Sequence, residues 1–248
     1  MTASDHDDEL VHLWVLPAPG APDADEQAAC LAVLDDAERA RFEALSMPSV
    51  RWEYLRARAL VRRALSWYAG GDPRGWRFEN NAWGRPFVLG VPGVFFNLSH
   101  TRGMLCVALA RDPEVGVDVE WLERPGETVA VAGRYFAPAE LAALRALEAS
   151  AQRDAFFDYW TLKEAYIKAR GRGMAIPLQR FAFVRGEPIT VRFDPELDDD
   201  ASFWDFVRFD PSPGHRVALA MRRVAGRPRP WRLHRAEALG VCPVGAEP

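Results

Sequence analysis

The segment Trp160-Thr-Leu-Lys163-Glu164-Ala-Tyr-Ile-Lys168 decides the fold, because it has a helical pattern and an earlier echo in the chain. The echo is YLRARALVR, which begins at Tyr54. Two shorter matches repeat in the same order: Val107-Ala-Leu-Ala with Val217-Ala-Leu-Ala, and Ala37-Glu38 with Ala139-Glu140. Each pair is separated by about 100 to 110 residues. The repeat predicts an α+β fold of two similar halves with a ligand cleft between them.

The boundary between these halves is predicted near Asp112-Pro113. The halves are therefore residues 1–112 and 113–240, followed by a tail, 241–248. The repeat aligns Glu164 with Arg58 and Lys168 with Arg62. Hydrophobic periodicity predicts helices over 27–45, 48–68, 138–147 and 151–169. Alternation predicts strands over 10–16, 95–98, 105–110, 115–119, 181–184, 189–193, 203–209 and 217–221.

Composition limits the class of protein. The chain has 248 residues, of which 49% are hydrophobic, and a formal net charge of −4, which gives no electrostatic reason to expect nucleic acid. No segment approaches the roughly 18 consecutive apolar residues of a membrane span, and the N-terminus lacks the pattern of a signal peptide. Three cysteines, Cys30, Cys106 and Cys242, lack metal-ligand spacing and suit a reducing compartment. We expect a cytoplasmic protein without membrane or nucleic-acid partners.

Asp118 and Glu120 form the first chemical motif, within Gly116-Val-Asp-Val-Glu. Residues two apart on a strand point to the same face, so the two carboxylates project together. Their repulsion in a cleft would be relieved by a divalent cation, and hard oxygen ligands favour Mg²⁺, with Mn²⁺ as an alternative. Taken alone, the pair fits a solvated strand face equally well.

The second motif is the helix around Glu164. Of the 31 basic residues, the only lysines are Lys163 and Lys168, which flank Glu164 in sequence. Glu164 and Lys168 are four residues apart and share a helix face. An ordinary surface ion pair would explain them, but the surrounding aromatic residues predict a half-buried helix that directs its charges toward a site.

The third motif is Asn97-Leu-Ser99-His100, preceded by Trp83-Gly-Arg85-Pro-Phe. Adjacent Ser and His residues rarely act as nucleophile and base, and no Gly-x-Ser-x-Gly elbow surrounds Ser99. Hydroxyl, imidazole and guanidinium groups can together donate hydrogen bonds to pyrophosphate oxygens. Phosphate binding is therefore the favoured interpretation, with a structural histidine as the alternative.

These blocks, in this order, resemble the phosphopantetheinyl transferases of the surfactin-synthetase-activating (Sfp) type. The resemblance covers residues 83–173 and is carried by WGRPF, FNLSH, GVDVE and FFDYWTLKEAYIKARGRG. It implies a monomer with the phosphopantetheinyl transferase fold, two α+β halves related by pseudo-twofold symmetry. It also implies transfer of the 4′-phosphopantetheine arm of coenzyme A to a serine of an acyl or peptidyl carrier protein, releasing adenosine 3′,5′-bisphosphate.

The resemblance implies a role for each motif residue. Asp118, Glu120 and Glu164 would bind Mg²⁺, with Glu164 also a candidate base for the serine hydroxyl. Lys168 would contact the pyrophosphate and protonate the leaving group. The remaining contacts to coenzyme A would come from Ser99, His100, Arg85, Lys163 and, in the less specific N-terminal half, Arg51, Arg56 and Arg58.

Two other functions use the same residues. A Mg²⁺-dependent hydrolase of nucleotide pyrophosphates would need the same carboxylates, and a degenerate relative could bind carrier proteins without catalysis. The presence of all three acids together with Lys168 favours the transferase. The sequence does not indicate whether the carrier belongs to fatty-acid, polyketide or nonribosomal peptide synthesis.

Overall fold

The computed structural model describes residues 8–235, so the tail 241–248 and Cys242 lie outside the described residues. The helices are α1 Ala24–Val33, α2 Asp36–Ala44, α3 Pro48–Ala69, α4 Thr128–Tyr135, α5 Pro138–Arg145 and α6 Ala149–Ala169. The strands are β1 Val11–Ala18, β2 Phe78–Asn80, β3 Pro86–Val88, β4 Phe95–Thr101, β5 Gly103–Ala110, β6 Val115–Trp121, β7 Phe181–Val184, β8 Thr190–Phe193, β9 Trp204–Ser212, β10 His215–Arg222 and β11 Trp231–Arg235. The predicted α+β class is confirmed. No helix within 8–235 is long and apolar enough to cross a membrane.

The chain divides into two compact units. Among the described residues, the first contains 8–79, 86–113 and 230–235, and the second contains 80–85 and 114–229. The main crossing, between residues 113 and 114, lies next to the predicted boundary. Two segments depart from the simple division at 112: the loop 80–85 belongs to the second unit, and β11 belongs to the first. The predicted pseudo-twofold relation and the cleft stay predictions.

The first unit is a four-stranded sheet in the order β11-β1-β5-β4, with α3 against it. Strand β5 is central and buried along nearly its whole length, as its apolar sequence requires. Strand β11 joins the sheet by pairing parallel to β1, from Val11 opposite Trp231 to Val15 opposite Arg235. Because β11 lies near the C-terminal end of the described chain but belongs to the first unit, the predicted half 113–240 is not one continuous unit.

Helix boundaries in the first unit follow local capping. The predicted helix over 27–45 is two helices, because Asp35 caps α2 and forms a capping box with Glu38. Helix α3 begins with Pro48 at its first turn and is capped after Ala69 by Gly70, whose φ of +78° suits glycine. The predicted loop at Ser99 and His100 is instead part of β4, which turns tightly into β5.

The second unit is a three-stranded antiparallel sheet in the order β6-β10-β9, with α6 packed on β6 and β10. The core of this unit is rich in aromatic residues, which come from α6 itself and from neighbouring segments: Phe136, Phe156, Phe157, Tyr166, Phe181 and Trp204. A separate hairpin, β7-β8, lies beside it. Helix α4 is not among the helices that the sequence predicted. It follows a segment rich in Pro, Gly and Glu, and its eight residues are too few to show a helical periodicity.

The sequence echo corresponds to like positions inside each unit. Val107 to Ala110 lie on β5 and Val217 to Ala220 on β10, and each strand is central in its own sheet. Glu38 and Glu140 are both the third residue of a short helix, and each carboxylate binds a buried cation of the following long helix. Those cations are Arg62, at 2.6 Å, and Lys163, at 2.7 Å. The structure therefore aligns Arg62 with Lys163, not with Lys168.

Candidate active site

Lys163 corrects one sequence-based assignment, its predicted contact with coenzyme A. Its side chain is fully buried, and Nζ donates to the carbonyls of Leu178, at 2.7 Å, and Phe181, at 2.6 Å. The third acceptor is Glu140, whose other contacts are the backbone amides of Ala137 and Phe183. All three ammonium donors are used inside the second unit, so Lys163 has no donor left for a phosphate.

The Lys163–Glu140 pair is a structural ion pair. Burial lowers the pKa of Lys163 and raises that of Glu140, whereas their mutual attraction acts in the opposite direction on both. The complete set of hydrogen bonds offsets the cost of removing both charges from water. The pair fixes α6 to α5 and β7, and so sets the rotation of the helix that carries Glu164.

Replacing Lys163 by methionine should lower the free energy of unfolding by about 3–5 kcal/mol, because Glu140 would remain buried without its cation. Urea unfolding monitored by tryptophan fluorescence measures the loss. The double variant Lys163→Met with Glu140→Gln should recover part of it. If Lys163→Met unfolds like the wild type but binds coenzyme A more weakly, the sequence-based role stands and the structural one is wrong.

Asp118 and Glu120 lie on β6 and project to one face, as alternation predicted. They are buried, with 5% and 8% exposure, opposite Ala218 and Arg216 of β10. Lys168 Nζ lies 2.6 Å from Asp118 Oδ1. Arg124, which the sequence reading did not identify, places Nη1 3.0 and 3.1 Å from the two carboxylate oxygens of Glu120. The paired acids thus face cations from α6 and from the loop after β6.

Glu164 and Lys168 are half-buried on α6, while the residues on both sides of each are buried. Burial and, after it, the charge of Asp118 raise the pKa of Glu164 to about 7. The same two causes raise the pKa of Glu120 to about 7, against the opposing effect of Arg124. The pKa values of both glutamates therefore depend on the charge of Asp118. The three predicted acids and Lys168 form one electrostatic cluster.

Gly116 explains how α6 comes so close to β6. A Cβ at this position would lie 2.2 Å from the carbonyl oxygen of Ala165 and 2.3 Å from the amide nitrogen of Ala169. These are backbone atoms of the same helix that carries Glu164 and Lys168. A glycine inside a strand pattern is the sequence signal for such a close approach.

The donor chemistry of this cluster fits a hard divalent cation. All three predicted ligands are carboxylates, and their mutual repulsion is the cost that such an ion removes. Within residues 8–235, no three His, Cys, Asp or Glu side chains are already grouped as metal ligands. In the described geometry, Asp118 and Glu120 instead bind Lys168 and Arg124.

Arg85 is anchored within the second unit. It donates to the carbonyls of Ala169, at 2.9 Å, and Val115, at 3.2 Å, and burial lowers its pKa. Its loop is tied to the end of α6 by Asn81, whose Nδ2 donates to the Gly171 carbonyl at 2.8 Å. Arg85 therefore joins β6 to the end of α6, which places it on the two elements of the acid cluster.

The first unit contains a cavity of about 680 Å³ between α3 and the β4–β5 turn. Its lining includes Trp52, Glu53, Arg56, Thr101 and Arg102. Of the residues predicted to bind coenzyme A, Arg56 lines this cavity and His100 contacts its wall through Glu53.

The remaining predicted contacts of the first unit are more dispersed. Arg56 is held by Glu26 at 2.7 and 2.9 Å and by the Gly20 carbonyl at 2.7 Å. The Arg51 guanidinium stacks 4.2 Å from the centre of the Phe42 ring. Arg58 lies over Tyr54 and 3.8 Å from Glu38. Ser99 is buried in β4.

The second unit contains the segment that matches a known protein family. Residues 114–220 match the 4′-phosphopantetheinyl transferase superfamily. The 4′-phosphopantetheinyl transferase HetI of Nostoc is 29% identical over 225 residues, 89% of this chain and 91% of that protein. The Bacillus subtilis 4′-phosphopantetheinyl transferase Sfp is 29% identical over 160 residues, 64% of this chain and 69% of its own. A Thermotoga maritima holo-acyl-carrier-protein synthase structure aligns with a TM-score of 0.36 and 20% identity, covering 44% of this chain and 64% of its own.

The family match spans β6, which carries Asp118 and Glu120, and α6, which carries Glu164 and Lys168. The match to HetI extends over both units. The segment that carries both elements is therefore similar to the 4′-phosphopantetheinyl transferase superfamily, and the chain is similar to a transferase of this kind over most of its length.

Proposed function

We propose that this enzyme transfers the 4′-phosphopantetheine arm of coenzyme A to a serine of an apo carrier protein and releases adenosine 3′,5′-bisphosphate. The observation that carries the proposal is the cluster of Asp118, Glu120, Glu164 and Lys168, set on two elements of one unit. Three acids and a lysine suit a reaction that needs charge neutralisation and alignment around two phosphates. The relatives named above support the same reaction class.

Asp118, Glu120 and Glu164 are the residues that would hold Mg²⁺, or Mn²⁺. When bound, the ion supplies neutralisation of the pyrophosphate charge and relief of the repulsion among the acids. The chain's own contribution is a preset geometry, because Gly116 brings α6 against β6 and the Lys163–Glu140 pair fixes the rotation of α6. Arg124 limits the motion of Glu120 through its two contacts.

In the proposed reaction, the carrier serine Oγ forms a bond to the β-phosphorus of coenzyme A. The bond from that phosphorus to the bridging oxygen breaks, and the electron pair leaves with adenosine 3′,5′-bisphosphate. Glu164 is the proposed acceptor of the serine proton, because it is a half-buried carboxylate within the acid cluster and a carboxylate can accept a proton. Lys168 is the proposed donor to the leaving phosphate.

We propose that the cavity of the first unit receives the nucleotide end of coenzyme A. Its size is in the range of small-molecule sites, and Trp52, Arg56 and Arg102 offer an aromatic surface and positive charge. His100, Arg51 and Arg58 remain proposed phosphate contacts near this region of α3 and β4.

Incubation with coenzyme A, Mg²⁺ and an apo carrier protein tests the proposal. We expect intact-protein mass spectrometry to show the carrier heavier by one phosphopantetheine arm, with stoichiometric release of adenosine 3′,5′-bisphosphate. Consumption of coenzyme A without a carrier would instead show a pyrophosphate hydrolase. Carrier binding without any mass gain would show a non-catalytic binding module. Parallel reactions with fatty-acid, polyketide and nonribosomal peptide carriers would identify the preferred carrier.

A further inference from the structure

One arginine of α6, Arg153, holds the loop that follows β6. Its Nε donates to the Leu122 carbonyl at 2.9 Å. Its Nη2 donates to the Arg124 carbonyl, and its Nη1 lies 3.5 Å from the Gly126 carbonyl. A guanidinium presents five N–H donors in a rigid fork, which suits three carbonyls at once. Residues 122–127 belong to no helix or strand, so these contacts supply a constraint that secondary structure supplies elsewhere.

The loop held by Arg153 carries Arg124, which binds Glu120. Nη1 of Arg124 lies 3.0 and 3.1 Å from the two carboxylate oxygens of Glu120. The same guanidinium lies over two rings of α6, 5.6 Å from the centre of Phe157 and 5.8 Å from that of Trp160. The Arg124 side chain is 39% exposed, and a long, partly exposed side chain keeps one position only if its backbone is held. The position of Arg124 on Glu120 therefore depends on the loop.

The turn of α6 that carries Arg153 is itself fixed to the sheet. Asp154, the next residue, accepts from Arg216 of β10 through its carbonyl, at 2.8 Å, and through Oδ1, at 2.9 Å. Arg216 is 3% exposed and lies directly opposite Glu120 in the pairing of β10 with β6. The contacts thus form a closed ring that leaves Glu120 across the sheet and returns to it through Arg153 and Arg124.

We infer that Arg153 is a positioning residue, which fixes the loop after β6 so that Arg124 holds the Glu120 carboxylate in place for a divalent cation. The inference rests on the proposed function for its metal. Position and charge act in opposite directions here. Loss of the positive charge of Arg153 would by itself favour cation binding, since like charges repel. Loss of the loop's position disfavours cation binding, because Glu120 is no longer oriented.

Binding of Mn²⁺ alone to the full chain tests the inference, measured by the loss of the free-ion signal in electron paramagnetic resonance. Arg153→Met keeps an apolar side chain next to Phe157, which the guanidinium now covers at 5.3 Å, and removes all the donors. Kd for Mn²⁺ should rise about tenfold, the lower end of the range for groups that orient a metal ligand. Weaker binding would report position, because the change in charge has the opposite sign. Arg145→Met, exposed in the last turn of α5, is the matched control and should keep the wild-type Kd.

A double-mutant cycle tests the path through Arg124. In the Arg124→Met background, Arg153→Met should change Kd for Mn²⁺ by less than about twofold, because the contact that it supports is already gone. An undiminished effect in that background would show that Arg153 acts elsewhere and would overturn the inference. Arg153→Lys is the second variant if Arg153→Met does not fold. It keeps the charge but loses the fork, so it should also weaken Mn²⁺ binding.

Nitrogen NMR of the Arg124 guanidinium in the metal-free protein provides a readout that does not depend on catalysis. We expect hindered rotation about the Nε–Cζ bond in the wild type, because Nη1 is held by both oxygens of Glu120, and free rotation in Arg153→Met. Equal rotation in the two proteins, or unchanged or tighter Mn²⁺ binding in the variant, would overturn the inference. If no carrier is labelled, the proposed function fails, yet the rotation of Arg124 still decides the role of Arg153. If carriers are labelled and Arg153→Met keeps both wild-type values, only the inference fails.

Discussion

Replacing Glu164 by glutamine should reduce carrier labelling at least ~10³-fold, because the acid cluster loses both a proposed metal ligand and its proposed base. Asp118→Asn should have a similar effect on turnover. The fold should survive both changes, since neither side chain belongs to the aromatic core of the second unit. Mass spectrometry of the carrier measures turnover, and circular dichroism checks the fold.

The free energy of unfolding of Glu164→Gln should not fall below that of the wild type. The sign of the change follows from the linkage between folding and proton binding. The pKa of Glu164 is raised from 4.5 to about 7, so the folded metal-free protein holds this proton more tightly than the unfolded chain. Stability is then lost as pH rises from 4.5 through 7. Glutamine does not ionise and avoids this loss. We expect a gain of about 1 kcal/mol at pH 8, reduced from the full pKa shift because Glu164 is partly exposed.

The matched control is Glu148→Gln, an exposed glutamate next to the start of α6 that forms no side-chain cap. It should leave both turnover and thermal stability unchanged. Wild-type turnover in Glu164→Gln would refute the assignment of Glu164 to metal binding and proton transfer. A large loss of stability would show that Glu164 is a structural residue and that the drop in turnover is indirect.

The acid cluster was predictable because its signals are local. Alternation on a strand places Asp118 and Glu120 on one face, and a spacing of four places Glu164 and Lys168 on one face of a helix. Lys163 was misassigned because successive residues on a helix point about 100° apart. Aromatic residues surround both lysines in sequence, so the pattern does not show which lysine faces the core. The contacts of Lys163 with Glu140, Leu178 and Phe181 show that Lys163 is the lysine that faces the core.

Other features depend on distant contacts that a single sequence does not encode. Strand β11 pairs with β1 from the other end of the chain, so its membership of the first unit has no local signal. The Glu53–His100 contact likewise joins a helix to a strand 47 residues away. By contrast, the break between α1 and α2 had a readable signal, the Asp35 to Glu38 capping box.

Gly116→Ala should cost both stability and activity, because its new methyl group would lie 2.2 and 2.3 Å from backbone atoms of α6. Those atoms belong to Ala165 and Ala169. Helix backbone atoms cannot move out of contact by a change of rotamer, as the end of a flexible side chain can. Relief requires α6 to move away from β6. We expect a loss of about 3 kcal/mol or more in the free energy of unfolding, at the upper end for overpacking.

The activity of Gly116→Ala should fall more than its stability alone explains, because the displaced helix carries Glu164 and Lys168 away from Asp118. The matched control is Gly133→Ala in α4, where the nearest heavy atom to the new methyl group is 3.9 Å away. A helical glycine with free space gains stability on becoming alanine, by roughly 0.5–1 kcal/mol. Urea unfolding and carrier labelling of the two variants separate a general glycine effect from the close approach at β6. Wild-type stability and turnover in Gly116→Ala would show that α6 and β6 are not pressed together, and the proposed acid cluster would lose its structural basis.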